Sequence, residues 1–191
     1  AKFTISKAFL QAGYSALEMK NGVLSVQPKL TQQDLITRLR KIGYSRSQLR
    51  AAHFSAQDMK ENGCTLQQLK QAGYTAGEVR GGFTVDEVVV QYQQGHIDTL
   101  YTVAELKEGG YNLAELKLFK DNRYPNGIRI FHPKEFKQAG FTAAEMREGG
   151  YTVKECAEGG WTEREVRAAG GICLVGFGYF NAYAARHWKW P

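Results

Sequence analysis

Chemically reactive side chains are scarce in this 191-residue chain, which holds three cysteines and four histidines. Cys64, Cys156 and Cys173 are odd in number and widely spaced, which argues against the disulfide framework of a small secreted domain. That usage fits a reducing, intracellular compartment. His53, His96, His132 and His187 stand in unrelated contexts, so no Cys/His or Ser/His/Asp arrangement is suggested, and no metal or other cofactor is expected. The apolar stretch from Ile172 to Phe180 falls far short of the roughly 20 residues a spanning helix needs. Gly-Gly pairs such as Gly109-Gly110 and Gly149-Gly150 do not follow a strand, as a phosphate-binding loop would. The sequence therefore predicts no enzyme.

What the chain has instead is a ten-residue unit, plainest in GFTAAEMREG, GYTVKECAEG and GWTEREVRAA from Gly140 to Ala169. One slot is filled by Ser15, Thr31, Ser45, Ser55, Thr65, Thr75, Thr84, Thr102, Asn112, His132, Thr142, Thr152 and Thr162. All but His132 carry the side-chain oxygen favoured where a helix begins. Three positions later comes an acidic residue or Gln every time, from Glu18 and Asp34 to Glu155 and Glu165. That pairing is the signature of a capping box.

The next slot is apolar throughout, as in Met19, Leu49, Leu106, Phe136 and Val166. Before the cap stands an aromatic residue in most units, among them Tyr14, Tyr44, Phe54, Tyr74, Phe141, Tyr151 and Trp161. An apolar residue before the cap packs on one four positions into the helix, forming a hydrophobic staple. Gly usually precedes the aromatic, where the previous helix must stop in a left-handed conformation. His53 takes that place in one unit. Each unit thus reads as stop, staple, cap and two helical turns. About seven helical residues span only ~10 Å and are marginal alone in water. Neighbouring units must stack, and the expected fold is all-α, a solenoid-like array of short two-turn helices.

The array is expected to run over residues 1–170, with irregular insertions near 21–30, 95–100 and 121–130. Leu30 to Ile42 and Val85 to Gln94 read as longer helices, and Asp121 to Ile128, DNRYPNGI, as a loop. Pro133 sits at a first helical position. After Ala169 the repeat gives way to a tail, residues 171–191, containing Phe177, Tyr179, Phe180, Tyr183, Trp188 and Trp190. Such a tail either caps the end of the array or anchors it to a protein partner or a membrane edge, where Trp and Tyr are favoured.

Charge is uneven. Residues 1–60 hold ten Lys/Arg against three Asp/Glu, residues 61–120 five against eight, and residues 121–191 ten against eight. Much of the basic content, including Lys20, Arg50, Lys60, Lys107, Lys137 and Arg147, directly follows the apolar slot. There it approaches the negative end of a short helix, while the preceding Glu lies toward the positive end. The clustering of Arg38, Arg40, Lys41, Arg46 and Arg50 is left over, and could engage an acidic protein, nucleic acid or an anionic membrane face. The Glu ladder has a capping role that accounts for it, and equivalent carboxylates lack the asymmetry catalysis needs.

Units of the form G-Y-T-x-x-E-L-K, cleanest over Gly43–Gly82 and Gly140–Gly170, resemble decad-repeat proteins of unicellular algae and other protists. The resemblance implies a repeat architecture and carries no active site. Ala1 in place of an initiator Met is expected of a processed or partial chain, and a processed plastid protein within a large assembly fits. The resulting expectation is a non-catalytic scaffold or linker subunit that bridges proteins. The resemblance adds an algal photosynthetic antenna as its setting, with peripheral contact to membrane or pigment-protein subunits. Its docking residues would be Arg38, Arg40, Lys41, Arg46 and Arg50 at one end and Phe177, Tyr179, Phe180, Trp188 and Trp190 at the other. The two positions between cap and acidic residue, as in Ala143-Ala144 and Glu163-Arg164, are the freest within a unit. The alternative is a helical-repeat protein that binds nucleic acid through its basic first third.

Overall fold

A computed structural model of the protein describes residues 7–89, 91–93, 96–117, 130–173 and 188–189. The fold divides into two compact units, Ala1–Val88 and Val89–Pro191. The first holds α1 (Lys7–Gln11), α2 (Ala16–Val26), α3 (Gln32–Ile42), α4 (Arg46–Ala51), α5 (Ala56–Glu61), α6 (Leu66–Gln71), α7 (Ala76–Val79) and most of α8 (Val85–Val89). The second holds a hairpin of β1 (Gln91–Gln93) and β2 (His96–Asp98), then α9 (Val103–Glu108), α10 (Leu113–Leu116), α11 (Pro133–Gln138), α12 (Ala143–Glu148), α13 (Val153–Gly159) and α14 (Glu163–Ala168). It closes with two short antiparallel strands, β3 (Ile172–Cys173) and β4 (Trp188–Lys189).

The predicted local chemistry is what starts and stops these helices. At Thr142, the backbone N–H donates to Glu145 Oε2 at 2.7 Å, and the Glu145 N–H donates to Thr142 Oγ1 at 3.1 Å. The same reciprocal pair opens α2, α4 to α7, α9, α10 and α12 to α14. It also joins Thr84 to Glu87 ahead of α8. At α11 the His132 ring nitrogen accepts from the Lys134 N–H while Glu135 reaches back to the His132 N–H. Thr31 caps α3, but the Asp34 carboxylate accepts from the Thr31 hydroxyl and makes no reciprocal bond to the backbone.

Each stop is also the next start. The Tyr151 N–H donates to the carbonyl of Met146, and the Gly150 N–H to that of Arg147, the bonding of a helix end closed by a left-handed residue. Phe54, Tyr74, Phe141 and Trp161 bond back in the same way to Leu49, Leu69, Phe136 and Cys156. One aromatic residue therefore terminates one helix with its N–H and staples the next with its ring. The Gly149-Gly150 pair has two separate causes. Gly150 has φ +75°, whereas Gly149, the C-cap of α12, keeps a right-handed backbone and a Cβ there would lie 2.5 Å from Leu113 Cβ. His53 adopts φ 58°, the one non-glycine residue with positive φ among the described residues.

Within each unit a helix packs on the second one along the chain: α2 on α4, α3 on α5 and α5 on α7 in the first, α9 on α11, α10 on α12, α11 on α13 and α12 on α14 in the second. The apolar slot and the staple fill the space between them. Leu49, Met59, Leu69, Leu106, Phe136, Met146 and Val166 are fully buried, as are nearly all the staple rings. Cys64 and Cys156 are buried as the small hydrophobes their slots predict. The Phe136 ring meets Phe131, Phe141 and Tyr151 edge-on at centroid distances of 6.0, 5.9 and 5.3 Å.

Two expectations need correction. The longer helix over Val85 to Gln94 ends at Val89, and Gln91–Gln93 pairs antiparallel with His96–Asp98. The β-branched run Val88 to Val90 and Tyr92 favours extended backbone, so the fold is helical with two small strand pairs. The insertion near 21–30 is largely helix, because Val23 extends the buried face set by Ala16 and Met19 through Val26. Only Gln27 to Leu30 connects, with Pro28 resisting continuation. Leu30 to Ile42 does form the longer helix α3 behind Thr31. The loop expected at Asp121 to Ile128 lies outside the described residues.

Replacing Phe136 by Ala is expected to cost about 3–5 kcal/mol, read as a lower urea midpoint. His53→Gly relieves a side chain held in the left-handed region and is expected to raise stability by roughly 1 kcal/mol, read as a higher melting temperature.

Candidate functional site

The side chains with most chemistry in each unit meet at one recurring place. Lys137, at the end of α11, donates to the carbonyl of Gly160 at 2.6 Å, lies over the Trp161 ring at 5.5 Å, and pairs with Glu165 at 3.0 Å. Lys60 does the same with Gly82, Phe83 and Glu87 at 3.0, 4.4 and 3.0 Å. Lys107 repeats it with Gly140, Phe141 and Glu145 at 2.7, 4.2 and 3.7 Å. Arg50 makes two of the three contacts, over Tyr74 and bidentate to Glu78. Lys117 reaches Gly150 and Tyr151, and Lys20 reaches His53 and Phe54.

The slot cation thus spans to the junction between the second and third helices beyond its own. It finds there a helix-ending carbonyl at the negative end of a dipole, an aromatic face and a capping carboxylate. Each contact is worth on the order of 1 kcal/mol or less where exposed. Repetition makes the sum matter. Sequence reasoning assigned these cations to their own helix ends and missed the clamp, because the carboxylate lies 28 residues on for Arg50 and Lys137 and 27 for Lys60. From Lys107 to Glu145 the separation is 38 residues, so no constant spacing marks the clamp in the sequence.

These contacts set the protonation of the carboxylates. The Thr162 backbone N–H, then its hydroxyl and the Lys137 ammonium, pull the Glu165 carboxyl down to about 2. Glu87 is lowered by the Thr84 N–H against partial burial, with help from Lys60. For Glu78 and Glu145, partial burial pushes upward, and the bonds from Thr75 and Arg50, or Thr142 and Lys107, outweigh it. Burial, then the Glu155 charge, pushes the Cys156 thiol up to about 12, so it stays protonated and unreactive near neutral pH. Burial, then the nearby Glu78, pushes the Tyr74 phenol to about 12, and its hydroxyl donates to the carbonyl of Phe54 at 2.8 Å.

Of the docking residues expected in the first third, Arg50 is engaged in its clamp, and Arg40 donates to the carbonyl of Asn62 and to Cys64 Sγ. Arg46 is half-buried, with Nε lacking a hydrogen-bond partner among the described residues. Arg38 and Lys41 are exposed on α3. The structure therefore leaves Arg38 and Lys41 facing solvent and turns Arg40 and Arg50 to internal contacts. Phe177, Tyr179, Phe180 and Trp190 lie outside the described residues. Trp188 is placed by its backbone only, in β4, which pairs with β3 and lies against α13.

The two freest positions of a unit prove to be one. The first residue after the cap is buried at Ala56, Ala76, Val103, Leu113, Ala143 and Val153. The second is exposed at Gln57, Gln67 and Gly77 in the first unit, and at Ala104, Ala114, Lys134, Ala144, Lys154 and Arg164 in the second. Helical geometry decides this, since the first position shares a face with the buried slot three residues on. Among the described residues no helix is long and apolar enough to cross a membrane, and no three His, Cys, Asp or Glu side chains stand together as metal ligands.

Residues 35–91 match the family described as the decapeptide repeat region. That stretch runs from within α3 through α8 to the start of β1 and contains the clamp carboxylates Glu78 and Glu87 and the rings Phe54, Tyr74 and Phe83. No curated protein and no solved structure matches the chain.

The pH dependence of stability follows from the lowered carboxyls. The folded chain binds fewer protons than the unfolded one, so stability is complete above the ordinary carboxylate range, near pH 5, and is lost as pH falls toward 2. Urea midpoints measured from about pH 5 down to 2.5 are expected to fall steadily. Glu165→Gln keeps a capping side chain and removes the titrating group, so its midpoint is lower at pH 7 and changes less with acid.

Proposed function

We propose that this decapeptide-repeat protein is a non-catalytic scaffold that bridges other proteins within a larger assembly. The observation that carries the reading is the division of labour inside each repeat. The cap, the carboxylate, the ring and the slot cation are engaged with one another, and of the two positions between cap and carboxylate one faces solvent and varies from repeat to repeat. In the second unit that position holds Ala104, Ala114, Lys134, Ala144, Lys154 and Arg164. Repeat proteins bind through such variable positions on an invariant frame. Arg38 and Lys41 add an exposed basic pair on α3. The partners are proteins of a larger complex, and an algal antenna assembly is the version that the family resemblance suggests.

Two measurements test this. Gentle isolation of the native protein, followed by mass spectrometry, is expected to recover stoichiometric protein partners that survive nuclease treatment. Recovery of the chain with nucleic acid that salt removes would overturn the reading and point to Arg38 and Lys41. The triple substitution Lys134→Glu, Lys154→Glu and Arg164→Glu is expected to weaken partner binding at least tenfold with little change in melting temperature. Unchanged binding would remove the exposed position from the interface.

A further inference from the structure

We infer that His132 makes α11 a pH-sensitive joint of the second unit, capped while its imidazole is neutral and released when the imidazole takes up a proton. The other helix caps among the described residues are Ser, Thr or Asn, whose side-chain oxygens accept a hydrogen bond and do not titrate. At α11 the acceptor is a ring nitrogen. His132 Nδ1 accepts from the Lys134 N–H at 3.2 Å, and a protonated imidazole has a donor at both nitrogens and no acceptor. Imidazole is the ordinary side chain that changes charge between about pH 5 and 8. Pro133 brings no N–H, so the Lys134 N–H is the first donor of the helix. The next, that of Glu135, is bonded to the His132 carbonyl at 2.9 Å. Protonation therefore takes from the Lys134 N–H its acceptor. It also puts a positive charge at the positive end of the helix, where it is disfavoured.

The effect reaches beyond one bond because α11 packs on both α9 and α13 and carries the buried Phe136 ring. Gly159, which ends α13, stands against this start of α11, since a Cβ there would lie 2.9 Å from the Pro133 carbonyl. The charged groups of all three helices bear on the sign. On α11, Lys134 repels an imidazolium and Glu135 attracts it. On α13, Glu158 neighbours Gly159, and Lys154 offsets its charge at 3.8 Å. On α9, Glu105 is held in the box with Thr102, Glu108 is the last helical residue, and Lys107 engages Gly140, Phe141 and Glu145 past the opposite end of α11. Glu135 would oppose release, but its Oε2 already accepts the His132 backbone N–H at 2.6 Å. Drawing that carboxylate to the ring weakens the other half of the same box. The joint involves no partner, so it stands or falls independently of the bridging role.

The test compares the full chain with His132→Asn and His132→Thr, which install caps that already serve α10 and α12. Urea midpoints are read at about pH 7.5 and about pH 5.5, both above the range in which the lowered carboxyls take up protons. His53, His96 and His187 are common to all three chains and cancel in the difference. Between the two pH values the parent is expected to lose stability relative to both variants, by roughly fivefold in the unfolding constant, the worth of one cap. A difference that is the same at both pH values would overturn the joint. So would a parent that gains on its variants in acid, since the imidazolium would then be held by Glu135. Hydrogen exchange, corrected for the intrinsic effect of pH, supplies a reading that needs no variant. In the parent, residues 133–139 are expected to lose protection at the lower pH while α12 and α14 of the same molecule keep theirs. Protection that changes equally in all three helices overturns the proposal.

Discussion

The constraint on which everything else depends is the shortness of the helix. Two turns cannot hold themselves in water, because nucleation is costly and few hydrogen bonds follow it. Every unit therefore spends its polar residues on the backbone groups that a short helix leaves unsatisfied. The capping box at one end and the left-handed stop at the other are close enough to share a residue, and the aromatic between them serves both. Tyr151 ends α12 with its N–H and staples α13 with its ring.

Stacking then follows from where this leaves the apolar groups. Each helix offers one slot residue and one staple, too little to bury alone, and packing on the second helix along the chain covers both. The cation clamp reinforces that stacking from outside. Lys107 reaches past its own helix end to Gly140, Phe141 and Glu145, so the same carboxylate that caps a helix also receives charge from another. This dual use explains why the carboxyls are held below their ordinary range and why acid should loosen the whole array together.

The repeat leaves some exposed groups without an internal role. The exposed second position of each short helix and the basic pair Arg38 and Lys41 are among them. They are different in kind: a variable row and a charge patch.

The sequence by itself determined the helix starts and stops, because capping boxes, left-handed glycines and staples act within ten residues and need no tertiary context. It identified the buried slots at Leu49, Phe136 and Cys156 for the same reason. It misjudged Val85 to Gln94, where β-branched residues compete with a capped start, and Asn21 to Val26, where one added apolar residue at Val23 prolongs the helix. Only the tertiary structure decided that Lys60 meets Glu87 and that Gly149 is required by Leu113. Those facts depend on which helix packs on which, and that pairing joins residues more than twenty positions apart, beyond the reach of any local rule.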